Sequence, residues 1–308
     1  MNSAAEALAS ESAQGYRSIF FSAPDGLRLH ARDYGPRDAS ALPVVCLPGL
    51  ARTSGDFHPL AVALASDAKA ARRVLALDYR GRGASEYDPD PRNYSFAVEL
   101  ADLRAVLTAL EIGQAIFIGT SRGGILIMLL AAAQPTAIAG AVLNDIGPLV
   151  EAKGLIRIKA YVGKLPQPRS IEEGAEILKR LLDAQFPKLS EGDWRAAAEL
   201  TWTMRGDGQL KLNYDPQLAR TTDDVDVERP IPAMWTQFDA LAAVPVMVIR
   251  GMLSDLLSAE TVQAMRARRK EMEVIEVADQ GHPPLIGTPD VTGRIAAFCG
   301  SCDAVARH

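Results

Sequence analysis

Apolar and polar residues alternate in two runs near the start of the chain, 18–21 and 27–34, on either side of Asp25-Gly26. That pattern predicts a β-hairpin. The period then changes. Short, continuously apolar runs follow at 43–47, 74–77, 115–118 and 140–143. Such runs predict strands buried on both faces of a sheet. Between them, residues 56–71 and 94–110 follow a helical pattern, and 125–133 is an apolar helix. Alternation of strand and helix predicts a mostly parallel sheet with helices on both faces.

The alternation stops at about Gly147 and resumes with apolar runs at 244–249 and 273–277, followed by a helix at 289–298. The intervening stretch shows helical patterns at 171–186 and 193–204 and no clear buried strand, and it holds all three tryptophans, Trp194, Trp202 and Trp235. The expected organisation is therefore a core of residues 17–146 and 239–303, interrupted by a helical cap over 147–238. An insertion at the carboxyl ends of the strands would cover the crevice where open α/β sheets bind ligands.

Composition narrows the class. The 308 residues are 48% hydrophobic and 23% charged, with a net charge of −5, as in an ordinary soluble enzyme. No basic face is visible, which argues against a nucleic-acid partner. No apolar run reaches the ~18 residues of a membrane span. Residues 1–16 read as a flexible leader rather than a secretory signal, because they lack a basic segment and an apolar segment. Three cysteines, Cys46, Cys299 and Cys302, form no disulfide framework and suggest reduced thiols in the cytoplasm. The Cys299-x-x-Cys302 pair has no second ligand pair, so no metal site is expected. Gly81-x-Gly83 lacks the third glycine of a dinucleotide fingerprint, and no cofactor is expected. The expected partner is a small molecule, and a homodimer stays open.

The candidate chemistry begins at Gly119-Thr120-Ser121-Arg122-Gly123. This G-x-S-x-G follows a strand pattern and precedes a helix pattern, the context of a nucleophile elbow. A serine hydroxyl needs a base, and the chain has four histidines. His30 falls in the hairpin, His58 opens a helix and His308 ends the chain; His282 follows the last strand pattern. His282 is the expected base. Its orienting carboxylate is expected to be Asp255, after the 244–249 strand, with Asp145, after the 140–143 strand, as the alternative. The oxyanion donors are expected to be the backbone N–H groups of Arg122 and of Leu50, in Pro48-Gly49-Leu50. Trp235, Trp202 and His58 are the candidates for pocket lining.

Taken together, Leu47-Pro48-Gly49-Leu50, Asp78 to Ser85, Gly119 to Gly123, Arg250 to Asp255 and Gly281-His282 make the chain resemble the α/β-hydrolase superfamily over about residues 17–299. The resemblance implies an eight-stranded, mostly parallel sheet and a Ser-Asp-His site. It looks like the lid-bearing bacterial esterases, enol-lactonases and carbon–carbon bond hydrolases. Two positions depart from the superfamily pattern. Pro48 stands where a His commonly precedes the glycine, and Ser254 stands where the acid usually lies, one residue before Asp255.

The expected activity is hydrolysis of a small carboxylic ester or lactone through an acyl-enzyme. Carbon–carbon hydrolysis and cofactor-free oxygenation on the same scaffold remain alternatives, as does a ligand-binding protein without turnover.

Overall fold

A computed structural model describes residues 15–222 and 231–306. The expected leader, as far as residue 14, and His308 lie outside the described residues.

The strands in chain order are β1 (Arg17–Ser22), β2 (Arg28–Tyr34), β3 (Val44–Leu47), β4 (Val74–Asp78), β5 (Ala115–Thr120), β6 (Ile138–Asn144), β7 (Trp202–Met204), β8 (Leu210–Leu212), β9 (Val246–Gly251) and β10 (Glu273–Val277). Eight of them form one sheet in the order β1-β2-β4-β3-β5-β6-β9-β10. The β1–β2 and β2–β4 pairs are antiparallel and the remaining five are parallel. The central strands β3, β4, β5, β6 and β9 are buried at every residue. Covered on both faces, they read in sequence as unbroken apolar runs.

The helices are α1 (His58–Ala65), α2 (Phe96–Ala109), α3 (Arg122–Ala133), α4 (Ala152–Tyr161), α5 (Ile171–Leu182), α6 (Glu191–Thr201), α7 (Trp235–Asp239), α8 (Ala259–Arg268) and α9 (Pro289–Ala306). One apolar cluster joins α2 and α3 to the sheet face that displays Val45, Phe117 and Leu143. A second joins α1 and α9 to the face that displays Cys46, Ile118 and Ile249. No helix among the described residues is long and apolar enough to cross a membrane.

Some boundaries differ from the pattern. The helix expected over 56–71 ends at Ala65, because Asp67 turns the chain by accepting the N–H groups of Lys69 and Ala70. The last helix continues to Ala306 and buries Cys299 and Cys302, with Cys302 Sγ only 2.4 Å from where a Cβ on Gly140 would lie.

The segment between β6 and β9 is mainly helical. Ser170 caps α5, and Ser190 and Asp193 close a capping box on α6. Leu178, Phe186, Trp194, Ala198, Trp202 and Leu210 form a core of their own. Two elements here were not expected: α4, and the β7–β8 hairpin, into which the helical pattern at 193–204 runs after Thr201. The segment is tied to the core beyond the carboxyl end of β4. Gly83 N–H donates to Asn213 O at 2.8 Å, Asp215 N–H to Gly81 O at 2.8 Å, and Tyr94 Oη–H to Asp215 at 2.6 Å.

Candidate active site

The position of Ser121 follows from local sterics. Ser121 joins β5 to α3 with φ 51° and ψ −112°, a conformation costly for any residue with a Cβ. The turn is tight enough to exclude side chains at its flanks. A Cβ on Gly119 would lie 2.4 Å from the Gly123 carbonyl carbon, and one on Gly123 would lie 2.0 Å from Leu47 O. The two glycines therefore set the turn, and the turn lifts the hydroxyl to the carboxyl edge of the sheet.

His282 arrives on the loop after β10. Its Nε2 lies 2.9 Å from Ser121 Oγ and its Nδ1 lies 2.8 Å from Asp145 Oδ2. An ionised carboxylate can only accept, so Nδ1 carries the proton and Nε2 is left to accept from the serine hydroxyl. The loop is anchored at two points. Gln185 Oε1 accepts His282 N–H at 3.1 Å, and Asn144 Nδ2 donates to Pro284 O at 3.2 Å and to Thr120 Oγ1 at 3.1 Å. Gly281 leaves room for Gln185, whose Oε1 lies 1.9 Å from where a Cβ on Gly281 would be.

The carboxylate beside His282 is Asp145, not Asp255. Asp145 is fully buried and has φ 56°. Besides His282 it accepts Gly251 N–H at 2.8 Å and the Ser254 hydroxyl at 2.6 Å. The sheet order explains this. β6 lies between β5 and β9, so its carboxyl end is next to the Ser121 turn. Ser254, at the usual acid position, donates to Asp145 instead. Asp255 faces Arg157 of α4 in a two-pronged pair, Nε to Oδ2 at 2.7 Å and Nη2 to Oδ1 at 2.8 Å. Burial would raise the Asp255 carboxyl; the hydrogen bonds and charge of Arg157, with a smaller effect from His282, hold it below its usual value.

Leu50 and Arg122 flank the serine. Arg122 is the first residue of α3, and Ser121 Cβ is 3.9 Å from where a Cβ on Gly49 would lie. Neither the Leu50 nor the Arg122 backbone N–H is engaged in a hydrogen bond among the described residues. Both residues are tethered through Glu99 of α2. Arg82 Nε donates to Leu50 O at 2.9 Å and its Nη1 lies 2.8 Å from Glu99, while Arg122 Nε donates to Glu99 at 2.6 Å. Glu99 is fully buried, which would raise its carboxyl, but Arg122 and Arg82 together hold it low. Nothing in the sequence pattern singled out this carboxylate between two arginines.

The residues expected to line a pocket are engaged in local packing. Trp202 is 1% exposed and fills the core of the inserted segment against Gly174. Trp235 stacks edge-on to Phe238 and beneath Arg268. His58 contacts Tyr34 Oη at 3.2 Å and the Tyr16 ring, and burial lowers its pKa. In each case an aromatic ring is absorbed by its own local packing. Arg52 instead lies close to the serine across Gly49, and Gln185 holds the His282 N–H.

A second Ser-His-Asp chain exists on β1 and β2. Ser18 Oγ lies 2.6 Å from His30 Nε2, and His30 Nδ1 lies 2.7 Å from Asp78. His30 is thus buried and bonded on both nitrogens rather than a surface residue. Ser18 sits mid-strand on an edge of the sheet, with no left-handed backbone and no helix N-terminus behind it. A hydrogen-bonded triad without a preorganised anion site offers little catalysis. Asp78 also accepts Ser54 and Ala84 N–H groups, so the chain holds loops together.

A strained serine at a strand–helix turn, an imidazole and a buried carboxylate, all on the carboxyl edge of this eight-stranded sheet, define a hydrolase of the α/β class. The chain belongs to the alpha/beta hydrolase family, whose model matches residues 44–294. It is 35% identical over 272 residues to the 3-hydroxybutyrate-oligomer hydrolase of Cupriavidus necator, covering 86% of this chain and 91% of the relative. The crystal structure of an alpha/beta hydrolase from Novosphingobium aromaticivorans is 38% identical and superposes with a TM-score of 0.84, covering 93% of this chain and 98% of that one. The 2-(acetamidomethylene)succinate hydrolase of Mesorhizobium japonicum is 24% identical over 79% of this chain and 82% of its own length.

Proposed function

We propose that the protein is a serine esterase that cleaves a small carboxylic ester through an acyl-enzyme, with Ser121 as nucleophile, His282 as base and Asp145 as the orienting acid. The observation that carries this reading is the hydrogen-bond chain from Ser121 Oγ through both nitrogens of His282 to Asp145. Ser121 Oγ attacks the ester carbonyl carbon while His282 Nε2 takes its proton. The Leu50 and Arg122 N–H groups meet the developing oxyanion. The carbonyl carbon–oxygen bond then breaks, and the imidazolium gives its proton to the departing alcohol. Water attacks the acyl-enzyme with His282 again as base, and the carboxylic acid and free Ser121 are released. Asp145 stabilises the imidazolium without being protonated. Oligoesters of short hydroxy acids are the first substrates to assay, because the relative from Cupriavidus necator is named for oligomers of 3-hydroxybutyrate.

A fluorophosphonate probe tests the assignment. Wild type is expected to be labelled on Ser121 and not on Ser18. Ser121→Ala is expected to lose labelling and about 10³-fold or more in hydrolysis of p-nitrophenyl butyrate, whereas Ser18→Ala keeps both. Full activity in folded Ser121→Ala, or labelling confined to Ser18, overturns the reading.

A further inference from the structure

Arg157, Tyr161 and Arg52 form a cationic, donor-rich group, and Asp255, the partner of Arg157, directly follows Ser254, whose hydroxyl donates to Asp145. Arg52 belongs to the loop after β3, and its Cγ lies 3.4 Å from the point 3.9 Å from Ser121 Cβ where a Gly49 Cβ would sit. Its guanidinium pairs with Asp56 and donates to Thr201 Oγ1 at 3.3 Å, yet the side chain stays 35% exposed. Arg157 is one turn before Tyr161 on α4. Tyr161 lies within electrostatic reach of both guanidinium groups and of Asp255. Burial raises the Tyr161 hydroxyl, so it stays protonated and can donate at neutral pH.

Arg157 also interacts with the Tyr161 hydroxyl, and one of its donors makes no hydrogen bond of normal geometry. Asp255 occupies Nε and Nη2, while Nη1 is buried without a hydrogen-bond partner. A buried guanidinium nitrogen without an acceptor is costly. Other such nitrogens occur, on Arg17, Arg32, Arg82 and Arg269. The guanidinium groups of Arg32, Arg82 and Arg269 lie over aromatic rings. Arg157 differs in that its partner carboxylate is within reach of the His282 charge. The two-pronged pair also locks the guanidinium plane, so a ligand docking on Nη1 orders little further.

We infer that Arg157, with Tyr161 and Arg52, receives the free carboxylate of an acid-bearing ester, so that the enzyme selects substrates carrying a carboxylate near the scissile bond. The inference rests on the serine-esterase reading and adds the substrate class. In a dimer of a 3-hydroxy acid, the carboxylate lies on the alcohol half, a short spacer from the ester oxygen. Hydrolysis releases it with the departing alcohol. Asp56 and Asp255 keep the empty site near neutrality, and the orphaned Nη1 donor supplies the new hydrogen bond.

The test compares the 3-hydroxybutyrate dimer with its neutral carboxamide, which has the same ester bond. Wild type is expected to favour the free acid about tenfold or more in kcat/KM, chiefly through KM. In Arg157→Gln the ratio is expected to fall toward one, with Tyr161→Phe intermediate. The double variant Arg157→Gln/Asp255→Asn removes both charges together and guards against loss of fold, which circular dichroism checks. Equal rates on acid and carboxamide in wild type, or an undiminished ratio in folded Arg157→Gln, overturn the inference while leaving Ser121 as nucleophile. Calorimetry on Ser121→Ala reads acid binding without turnover. Tighter binding of the acid than of the carboxamide, lost on adding Arg157→Gln, supports the subsite even if the serine reading fails; equal binding of the two overturns it.

Discussion

Replacing Asp145 by Asn separates the two candidate acids. The Asp145 carboxylate accepts three hydrogen bonds in a fully buried site, from Gly251 N–H, the Ser254 hydroxyl and His282 Nδ1–H. An amide accepts only through its oxygen. If its NH₂ faces Gly251, two donors oppose each other, which costs about 1–3 kcal/mol in a fully buried site. If its NH₂ faces His282 and Ser254, the serine hydroxyl can rotate to accept, and the imidazole must move its proton to Nε2. The second arrangement is the cheaper, and it removes the acceptor that Ser121 needs. Turnover of p-nitrophenyl butyrate is expected to fall about 10⁴-fold, or about 5 kcal/mol of transition-state stabilisation. KM should change little, because Asp145 is enclosed by protein groups. Asp255→Asn breaks the pair with Arg157 and leaves the His282 bond intact, so its cost in turnover of this neutral ester should stay within about tenfold, the size of an indirect charge effect at high effective dielectric. Steady-state kinetics on both folded variants decides the matter. Asp145→Asn within tenfold of wild type, or Asp255→Asn as damaging as Asp145→Asn, refutes the assignment.

Other outcomes follow from the same geometry. Glu99→Gln leaves Arg82 and Arg122 without their shared countercharge, and breaking a buried network of this kind is expected to lower stability by about 3–5 kcal/mol. Urea unfolding measures it; turnover should fall as well, because the Leu50 and Arg122 tethers are lost. The folded Asp255 carboxyl lies below its ordinary value of 3.8. Its ionisation therefore stabilises the fold above that pH, and the benefit is lost as pH falls through the folded value. Arg157→Gln should then be less stable than wild type at pH 7, with the gap in Tm closing below pH 3.8. Burial pushes the Cys299 and Cys302 thiols up to about 12 and raises Cys46 well above its usual value. A disulfide reagent at pH 8 should find almost no reactive thiol in the native protein and three after denaturation; rapid native labelling would contradict this packing.

Much of this protein was legible in its chain. The run 115–118 announced β5 because a strand covered on both faces must be apolar throughout. Ser121 was visible because only glycines fit at 119 and 123. His282 emerged because it alone of four histidines follows a strand pattern at the expected edge. These are local signals, set by side-chain period and by sterics within a few residues. The carboxylate was not local. Asp145 and Asp255 both follow strands, and only the placement of β6 between β5 and β9 decided which meets His282. Helix α4 escaped notice because Gly154, Arg157 and Lys159 interrupt its apolar stripe, yet it carries Arg157 to Asp255. The aromatic residues expected in the pocket were taken up by their own surroundings, Trp202 by the core of the inserted segment. Period and turn chemistry are written residue by residue, whereas the meeting of side chains more than a hundred positions apart depends on how layers stack, and only the folded chain specifies that.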